Sequence, residues 1–83
     1  MRMSRISGAQ DDDGLLASLG RHIRELRVRR NLSQEALADA SGIDRSHMGK
    51  IERGERNVTI LNLARIAKAL GCNLSELIAG SAL

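Results

Sequence analysis

Five hydrogen-bond donors lie within a short stretch of the sequence: Arg45, Ser46, His47, Lys50 and Arg53. If residues 45–53 form a helix, four of these donors lie within an arc of about 140° around the helix axis, and His47 lies at the margin of that arc. Met48 and Ile51 fall on the opposite side, where they can pack against the rest of the protein. An arginine can donate two hydrogen bonds to one guanine in the major groove of DNA. This spacing therefore predicts a helix whose outer face can bind a duplex.

Gly49 lies in the middle of this donor face. Within a helix a glycine costs about 0.5–1 kcal/mol relative to alanine, but it also lets the backbone approach a ligand closely. We therefore expect Gly49 to be open to whatever the donor face binds. On charge alone, a solvated face without a ligand explains the segment equally well, so the neighbouring elements have to decide.

The first of these elements is predicted to be an amphipathic helix from about Leu15 to Arg30. Its apolar residues recur at steps of three and four: Leu16, Leu19, Ile23 and Leu26. Arg27 falls in the same sector of the wheel as these apolar residues. Because an unpaired buried charge is costly, we expect Arg27 to pair with a carboxylate from elsewhere in the fold.

Four further helices are predicted at about residues 34–40, 45–53, 60–70 and from 74 onward. Their N-terminal caps are Ser33, Asp44, Thr59 and Asn73. Asn73 with Glu76 three residues later predicts a capping box, and Gly42 and Gly54 supply turns. The fourth helix is expected to bury one stripe: Ile60, Leu63, Ile66, Ala67 and Leu70. The sequence therefore predicts a compact all-α domain of five helices.

The 83 residues, which include no Phe, Tyr, Trp or Pro, suffice for one small domain. We expect a flexible N-terminal leader at residues 1–13 and one folded domain at 14–83, whose C-terminal helix is expected to contact a second copy of the chain. A domain of this size buries only about 60–65% of its unfolded surface, so a partner subunit would help to stabilise it. The net charge is only +3, but residues 21–30 carry five arginines and one glutamate, which weakly indicates a polyanionic partner.

Several classes of function are disfavoured by the composition. Cys72 is the one cysteine, which excludes an internal disulfide and fits a reducing compartment, and we expect it to be an apolar filler. No metal site is expected, because His22 and His47 lie 25 positions apart without a Cys/His cluster. No nucleophile with a base, carboxylate pair or glycine-rich phosphate loop is recognisable, so we expect neither an enzyme nor a cofactor. No apolar run approaches the roughly 18 residues of a membrane span.

A helix, a glycine turn and a second helix with an outward polar face is the helix-turn-helix arrangement, in which the second helix enters the major groove. Over about residues 19–78 the chain also resembles the Cro/repressor-type helix-turn-helix family, through "SQEALA", "SGI", "IERGER" and "LARIAKALG" together. "IERGERN" followed by a helix rich in Leu and Ile is most similar to the small controller proteins of restriction–modification systems. That resemblance implies a homodimeric transcription regulator that binds a double-stranded DNA operator.

The resemblance also implies a role for each matched position. The implied base contacts are Arg45, Ser46, His47 and Lys50, and the implied phosphate contacts are Gln34, Arg53, Arg56 and Asn57. Arg27 and Glu52 match the paired Arg and Glu between the first and third helices of the family. We expect this ion pair to be structural, with Glu52 as the carboxylate that a buried Arg27 requires. Many controllers have Tyr at the position of His47, so the base that His47 reads cannot be transferred from them.

The dimer interface is predicted on the last two helices. Leu61 points outward on the fourth helix, and Leu74 and Ile78 make the C-terminal helix more apolar than a solvent-facing end requires. A dimer on a two-fold operator would either block RNA polymerase or recruit it. Such a regulator would act in the cytoplasm, at the nucleoid, and we expect no small-molecule ligand because the chain has no room for a separate ligand domain.

Two other binding functions stay open. The same fold can serve an antitoxin whose apolar C-terminal region covers a toxin, and the outward Leu and Ile residues allow this. RNA binding is less favoured, because no aromatic side chain is present to stack on an unpaired base. Retention on immobilised DNA that is lost at high salt would favour the regulator, because phosphate contacts release counterions.

Overall fold

The computed structural model describes Asp11 and residues 13–81, and within them the secondary structure is entirely helical. The five helices are α1 (Leu15–Arg29), α2 (Gln34–Ser41), α3 (Arg45–Glu52), α4 (Ile60–Ala69) and α5 (Leu74–Ala79). The predicted all-α architecture is confirmed, and the observed boundaries lie within about one residue of the expected ones. Helix α1 packs on α3 and α5, α2 packs on α3 and α4, and α4 packs on α5.

Helices α2 to α5 begin at caps formed by Ser33, Asp44, Thr59 and Asn73. In each case the side-chain oxygen accepts a hydrogen bond from a backbone amide of the first turn, which has no partner within the helix. Asn73 and Glu76 form the expected capping box, with 2.8 Å from Glu76 N to Asn73 Oδ1 and 3.1 Å from Asn73 N to Glu76 Oε1. These short helices therefore begin where local side-chain chemistry places them.

Helix α1 begins differently. Its N-cap residue, Gly14, has a positive φ of 69° and supplies no side chain. The carboxylate of Asp11 takes that place, because Oδ2 accepts hydrogen bonds from Leu16 N at 2.9 Å and Ala17 N at 3.2 Å. Asp11 belongs to the stretch 1–13 that is predicted to be a flexible leader. The rest of that stretch, apart from Asp13, lies outside the described residues.

The core is built from aliphatic side chains and methionine on the inner faces of all five helices and just beyond the ends of α2 and α4. Its buried members are Leu19, Ile23, Leu37, Ala38, Ile43, Met48, Ile51, Leu63, Ile66, Ala67, Leu70 and Leu77. One residue of the predicted α4 stripe is not among them, because Ile60 is 66% exposed. Ile60 directly follows the cap Thr59, and the buried stripe begins one turn later at Leu63. Cys72 packs half-buried against this core, where burial raises the pKa of its thiol, as expected for an apolar filler.

The backbones of helices α1 and α3 come close together at Gly20. A Cβ atom on this residue would lie 2.5 Å from the carbonyl oxygens of both Ile51 and Glu52. Those atoms belong to the backbone of α3 and cannot move aside as a flexible side chain can. Gly20 thus sets how deeply α3 is seated on α1. Among the described helices, none is both long and apolar enough to cross a membrane.

We predict that Gly20→Ala lowers the free energy of unfolding by about 1–3 kcal/mol, although alanine is the better helix former, because the added methyl group overpacks the α1–α3 contact. Chemical denaturation monitored by circular dichroism measures this change. Gly49→Ala is the matched control, since Gly49 is also a buried helical glycine but its nearest neighbours are side-chain ends. Equal stability of the two variants would contradict the proposed role of Gly20.

Candidate nucleic-acid interface

The turn between α2 and α3 fixes the relative direction of the two helices. Gly42 has a φ of 69°, and Ile43 N donates to Ala38 O at 2.9 Å, which closes the end of α2. The chain then extends to Asp44, which caps α3. Ile43 itself is buried, so the turn is held by core packing as well as by hydrogen bonds. Helices α2 and α3 with this connection form a helix-turn-helix.

Helix α3 buries one side and exposes the other, as the spacing of its residues predicts. Met48 is fully buried and Ile51 is 2% exposed. On the outer side Arg45 and Ser46 are exposed and Lys50 is half-buried. The guanidinium of Arg45 lies 3.9 Å from Glu35 Oε2, and both side chains are about two-thirds exposed (68% and 65%), so this pair is loose. Arg45 is therefore available to an external acceptor.

The first turn of α3 is organised by Asp44. Ser46 Oγ donates to Asp44 Oδ2 at 2.5 Å, and the backbone amides of Ser46 and His47 donate to the same oxygen. The Ser46 hydroxyl bond, followed by the His47 amide bond, holds the pKa of Asp44 below its ordinary value. Because the hydroxyl hydrogen of Ser46 is used internally, its lone pairs remain to accept a hydrogen bond from a base edge.

His47 is placed less simply for a base contact. Its side chain is half-buried, and its Nε2 is covered by protein atoms without a hydrogen-bond partner among the described residues. A contact from Nε2 to a base would require the ring to turn outward. Such a rotation would also give this buried nitrogen the partner that it lacks.

The prediction that Gly49 is open on the donor face is wrong, because Gly49 is buried. A Cβ atom at this position would lie 3.1 Å from Arg53 Nη1 and 3.3 Å from Gln34 Oε1. The absence of a side chain thus allows Arg53 and Gln34 to lie across the surface of α3. The space that Gly49 leaves is filled by two of the residues expected to contact phosphate.

Helix α3 is attached to α1 by the ion pair between Arg27 and Glu52. Arg27 Nε lies 2.7 Å from Glu52 Oε2, and Nη2 lies 3.0 Å from Oε1. The side chains are only 13% and 3% exposed. The third nitrogen of Arg27 donates to Leu32 O at 2.9 Å, and Gln34 Nε2 donates to Glu52 Oε1 at 3.2 Å. One buried carboxylate therefore connects α1, the start of α2 and the end of α3.

The C-terminal end of α3 closes with a Schellman motif. Gly54 has a φ of 72°, Gly54 N donates to Ile51 O at 3.1 Å, and Glu55 N donates to Lys50 O at 2.9 Å. This turn brings the carboxylate of Glu55 against Arg53, with Arg53 Nε 2.6 Å from Oε2 and Nη2 3.3 Å from Oε1. Arg56 and Asn57 follow, exposed, in the loop that leads to α4.

The structure thus gathers Gln34, Lys50 and Arg53 around Gly49, with Arg45 and Ser46 one turn earlier on α3. Neither the Arg53–Glu55 pair nor the hydrogen bond between Gln34 and Glu52 is predicted from the sequence. The Arg53–Glu55 pair could have been predicted from Gly54, because a glycine that ends a helix places the next residue beside the last helical turn. The Gln34–Glu52 hydrogen bond depends on the packing of α2 against α3 and has no signal in the spacing.

Residues 23–77 match the sequence profile of a helix-turn-helix family, which covers the described fold from the middle of α1 to α5. The chain belongs to this helix-turn-helix family. It is 45% identical over 60 residues to control protein C.SmaI of Serratia marcescens, covering 72% of this chain and 71% of that protein. Control protein C.MunI of Mycoplasma sp is 42% identical over 59 residues, covering 70% and 80%.

Among solved structures, the chain is similar to the restriction-modification controller protein C.AhdI from Aeromonas hydrophila. The TM-score is 0.73 at 48% sequence identity, and the match covers 75% of this chain and 94% of that one. The predicted resemblance to repressor-type helix-turn-helix proteins, and to controllers in particular, is confirmed. The family assignment rests on the region in which Arg27, Glu52 and the donor face of α3 lie.

In this helix-turn-helix protein, we expect Arg27→Ala to lower the free energy of unfolding by about 3–5 kcal/mol, because it leaves the Glu52 carboxylate buried without its partner. Denaturant titration measures the loss. Arg24→Ala, on the exposed side of α1, is the control and should change stability by less than about 0.5 kcal/mol. The double variant Arg27→Met with Glu52→Met should recover much of the loss, because neither charge is left alone. If Arg27→Ala is no worse than Arg24→Ala, the pair does not hold α3.

Proposed function

We propose that this protein is a sequence-specific regulator of transcription that binds double-stranded DNA as a homodimer on a two-fold operator. The observation that carries the proposal is the two-sided character of α3. Its inner side is seated on the core by Met48 and Ile51 and anchored by the Arg27–Glu52 pair, while its outer side presents Arg45, Ser46 and Lys50. A helix held in place in this way, with the donors of Arg45 and Lys50 and the acceptor oxygen of Ser46 on its free side, suits the major groove.

The proposed base contacts are made by Arg45, Ser46, His47 and Lys50, and the proposed phosphate contacts by Gln34, Arg53, Arg56 and Asn57. This division agrees with their positions in the fold. Gln34 is the first residue of α2, where free backbone amides and the helix dipole favour a phosphate. Arg53, Arg56 and Asn57 lie at and beyond the C-terminal end of α3, at the rim of the donor face.

The similarity to controller proteins of restriction–modification systems supports a controller-like regulator. Its mechanism would be occupancy of an operator, from which the bound dimer either blocks RNA polymerase or recruits it. Such a regulator would act in the cytoplasm, at the nucleoid. No enzymatic step, cofactor or small-molecule ligand enters this mechanism.

The proposed dimer interface includes Leu61, Leu74 and Ile78. Leu61 is 59% exposed at the start of α4 and Ile60, the preceding residue, is 66% exposed, so two large apolar side chains are exposed at this end of the helix. Leu74 and Ile78 are half-buried on α5 and offer only part of their surface. The apolar area that a second copy would cover is therefore concentrated at the N-terminal end of α4. In such a dimer, the two copies of α3 would enter successive turns of the major groove, about 34–36 Å apart.

The test of the proposed function begins with a preferred duplex selected from a random pool. Binding of that operator and of a scrambled duplex is then measured over a range of salt concentrations. We expect Arg45→Ala to weaken operator binding by about 1–3 kcal/mol and to relax the preferred sequence, with little effect on the scrambled duplex. Arg56→Ala, the matched control outside α3, should weaken both duplexes alike and reduce the salt slope by about one.

Equal loss of affinity for operator and scrambled duplex in Arg45→Ala would show that Arg45 does not read bases. Absence of salt-sensitive binding by the wild-type protein to any selected duplex would overturn the proposed function itself. In that case, copurification of a second polypeptide would favour the alternative of an antitoxin-like protein-interaction domain.

The proposed dimer predicts a shift in subunit association. Leu61→Glu should move the protein from dimer to monomer in sedimentation velocity, because it places a charge in an apolar contact. Val28→Glu is the matched control, since Val28 is similarly exposed (56%) but lies on α1, and it should leave association unchanged. If the Leu61→Glu protein still sediments as a dimer, the dimer interface does not lie at Leu61 on α4.

A further inference from the structure

Glu55 is a negative charge among the positive charges proposed to face DNA phosphates. The Schellman turn at Gly54 fixes its backbone beside the last turn of α3, and its two oxygens bind Nε and Nη2 of Arg53. This two-point contact along one edge of a guanidinium is the geometry in which an arginine binds a phosphate. The carboxylate therefore occupies Arg53 in the way that DNA would.

The pair contributes little to the fold. Both side chains are more than half exposed, at 57% for Arg53 and 51% for Glu55, and ion pairs of this kind have little effect on stability. The hydrogen bond from Arg53 lowers the pKa of Glu55, and the charges of Lys50 and Arg56 act in the same direction. Glu55 is thus ionised at neutral pH and surrounded by the cations of the proposed DNA face.

The pair also determines which edge of Arg53 remains available. With Nε and Nη2 bound to Glu55, Nη1 is the nitrogen that lies over Gly49, where a Cβ atom would be 3.1 Å from it. Because more than half of the Arg53 side chain is exposed, a phosphate can approach Nη1 from the solvent while Glu55 keeps its own contact. An approach from the opposite edge meets the carboxylate and is repelled.

We infer that Glu55 is a specificity-determining residue, which restrains Arg53 to one phosphate-binding geometry and disfavours DNA complexes that lack it. This inference rests on the proposed function. In a complex whose position on DNA is set by base contacts, a phosphate lies at the edge of Arg53 that Glu55 does not occupy. The guanidinium is already held in the orientation that binds this phosphate, which offsets the repulsion between the phosphate and Glu55. In a loosely docked non-specific complex, phosphate positions vary and the repulsion dominates. Glu55 therefore increases the ratio of specific to non-specific affinity by weakening the non-specific binding.

The test compares Glu55→Gln with the wild-type protein on the selected operator and on a scrambled duplex of equal length. We expect the scrambled duplex to bind about three- to tenfold more tightly, with a salt slope steeper by about one phosphate contact, because the repelling charge is gone. We expect the operator affinity to change less than about twofold. Glu55→Ala, which also lacks the charge, should give the same fall in the specificity ratio.

Glu25→Gln is the matched control, because it removes the same charge from an exposed position on α1. It should strengthen both duplexes slightly and equally. The effect of Glu55→Gln should also disappear in an Arg53→Ala background, since the two residues act as a pair. Equal tightening of both duplexes by Glu55→Gln, or weaker binding of both, overturns the inference while leaving the proposed function intact. Failure of the wild-type protein to bind any duplex overturns both.

Discussion

The seating of α3 depends on a single buried carboxylate, that of Glu52. Its two oxygens accept three hydrogen bonds, two from Arg27 on α1 and one from Gln34 at the start of α2. Beside it Gly20 lets the α1 backbone come into contact with the carbonyls of α3. A buried ion pair is weak evidence for added stability, because desolvation offsets the attraction. It does define an orientation, because the hydrogen bonds of Glu52 to Arg27 and to Gln34 form together only when α1, α2 and α3 meet in this arrangement.

This constraint explains how so short a helix can keep one side, with Arg45, Ser46 and Lys50, turned away from the core. Eight residues of α3 have few apolar side chains with which to attach themselves, and an isolated helix of that length is unstable in water. Asp44 holds its first turn, Met48 and Ile51 hold its middle, and Glu52 and the turn at Gly54 hold its end. Each attachment is made from the inner side or from the ends. The outer side is therefore free to carry residues selected for recognition.

Local chemistry made much of this fold predictable. The caps Ser33, Asp44, Thr59 and Asn73 act within a few residues of themselves, so the helix limits could be read from the sequence. Long-range placement was less accessible. Gly49 was expected at an open surface, but the side chain of Gln34 from another helix covers it. Ile60 fits the apolar period of α4 yet lies beyond the reach of the core. The Arg27–Glu52 pair joins residues 25 positions apart and came from family resemblance.

The outer side of α3 is the surface that we propose binds DNA. Chemical-shift mapping on the uniformly ¹⁵N-labelled protein, titrated with the selected operator, tests it residue by residue. We expect the largest shifts in α3 and at Gln34, with little change along the exposed side of α1 around Arg24 and Val28. Shifts concentrated on α4 and α5, with the amides of α3 unchanged, would contradict it.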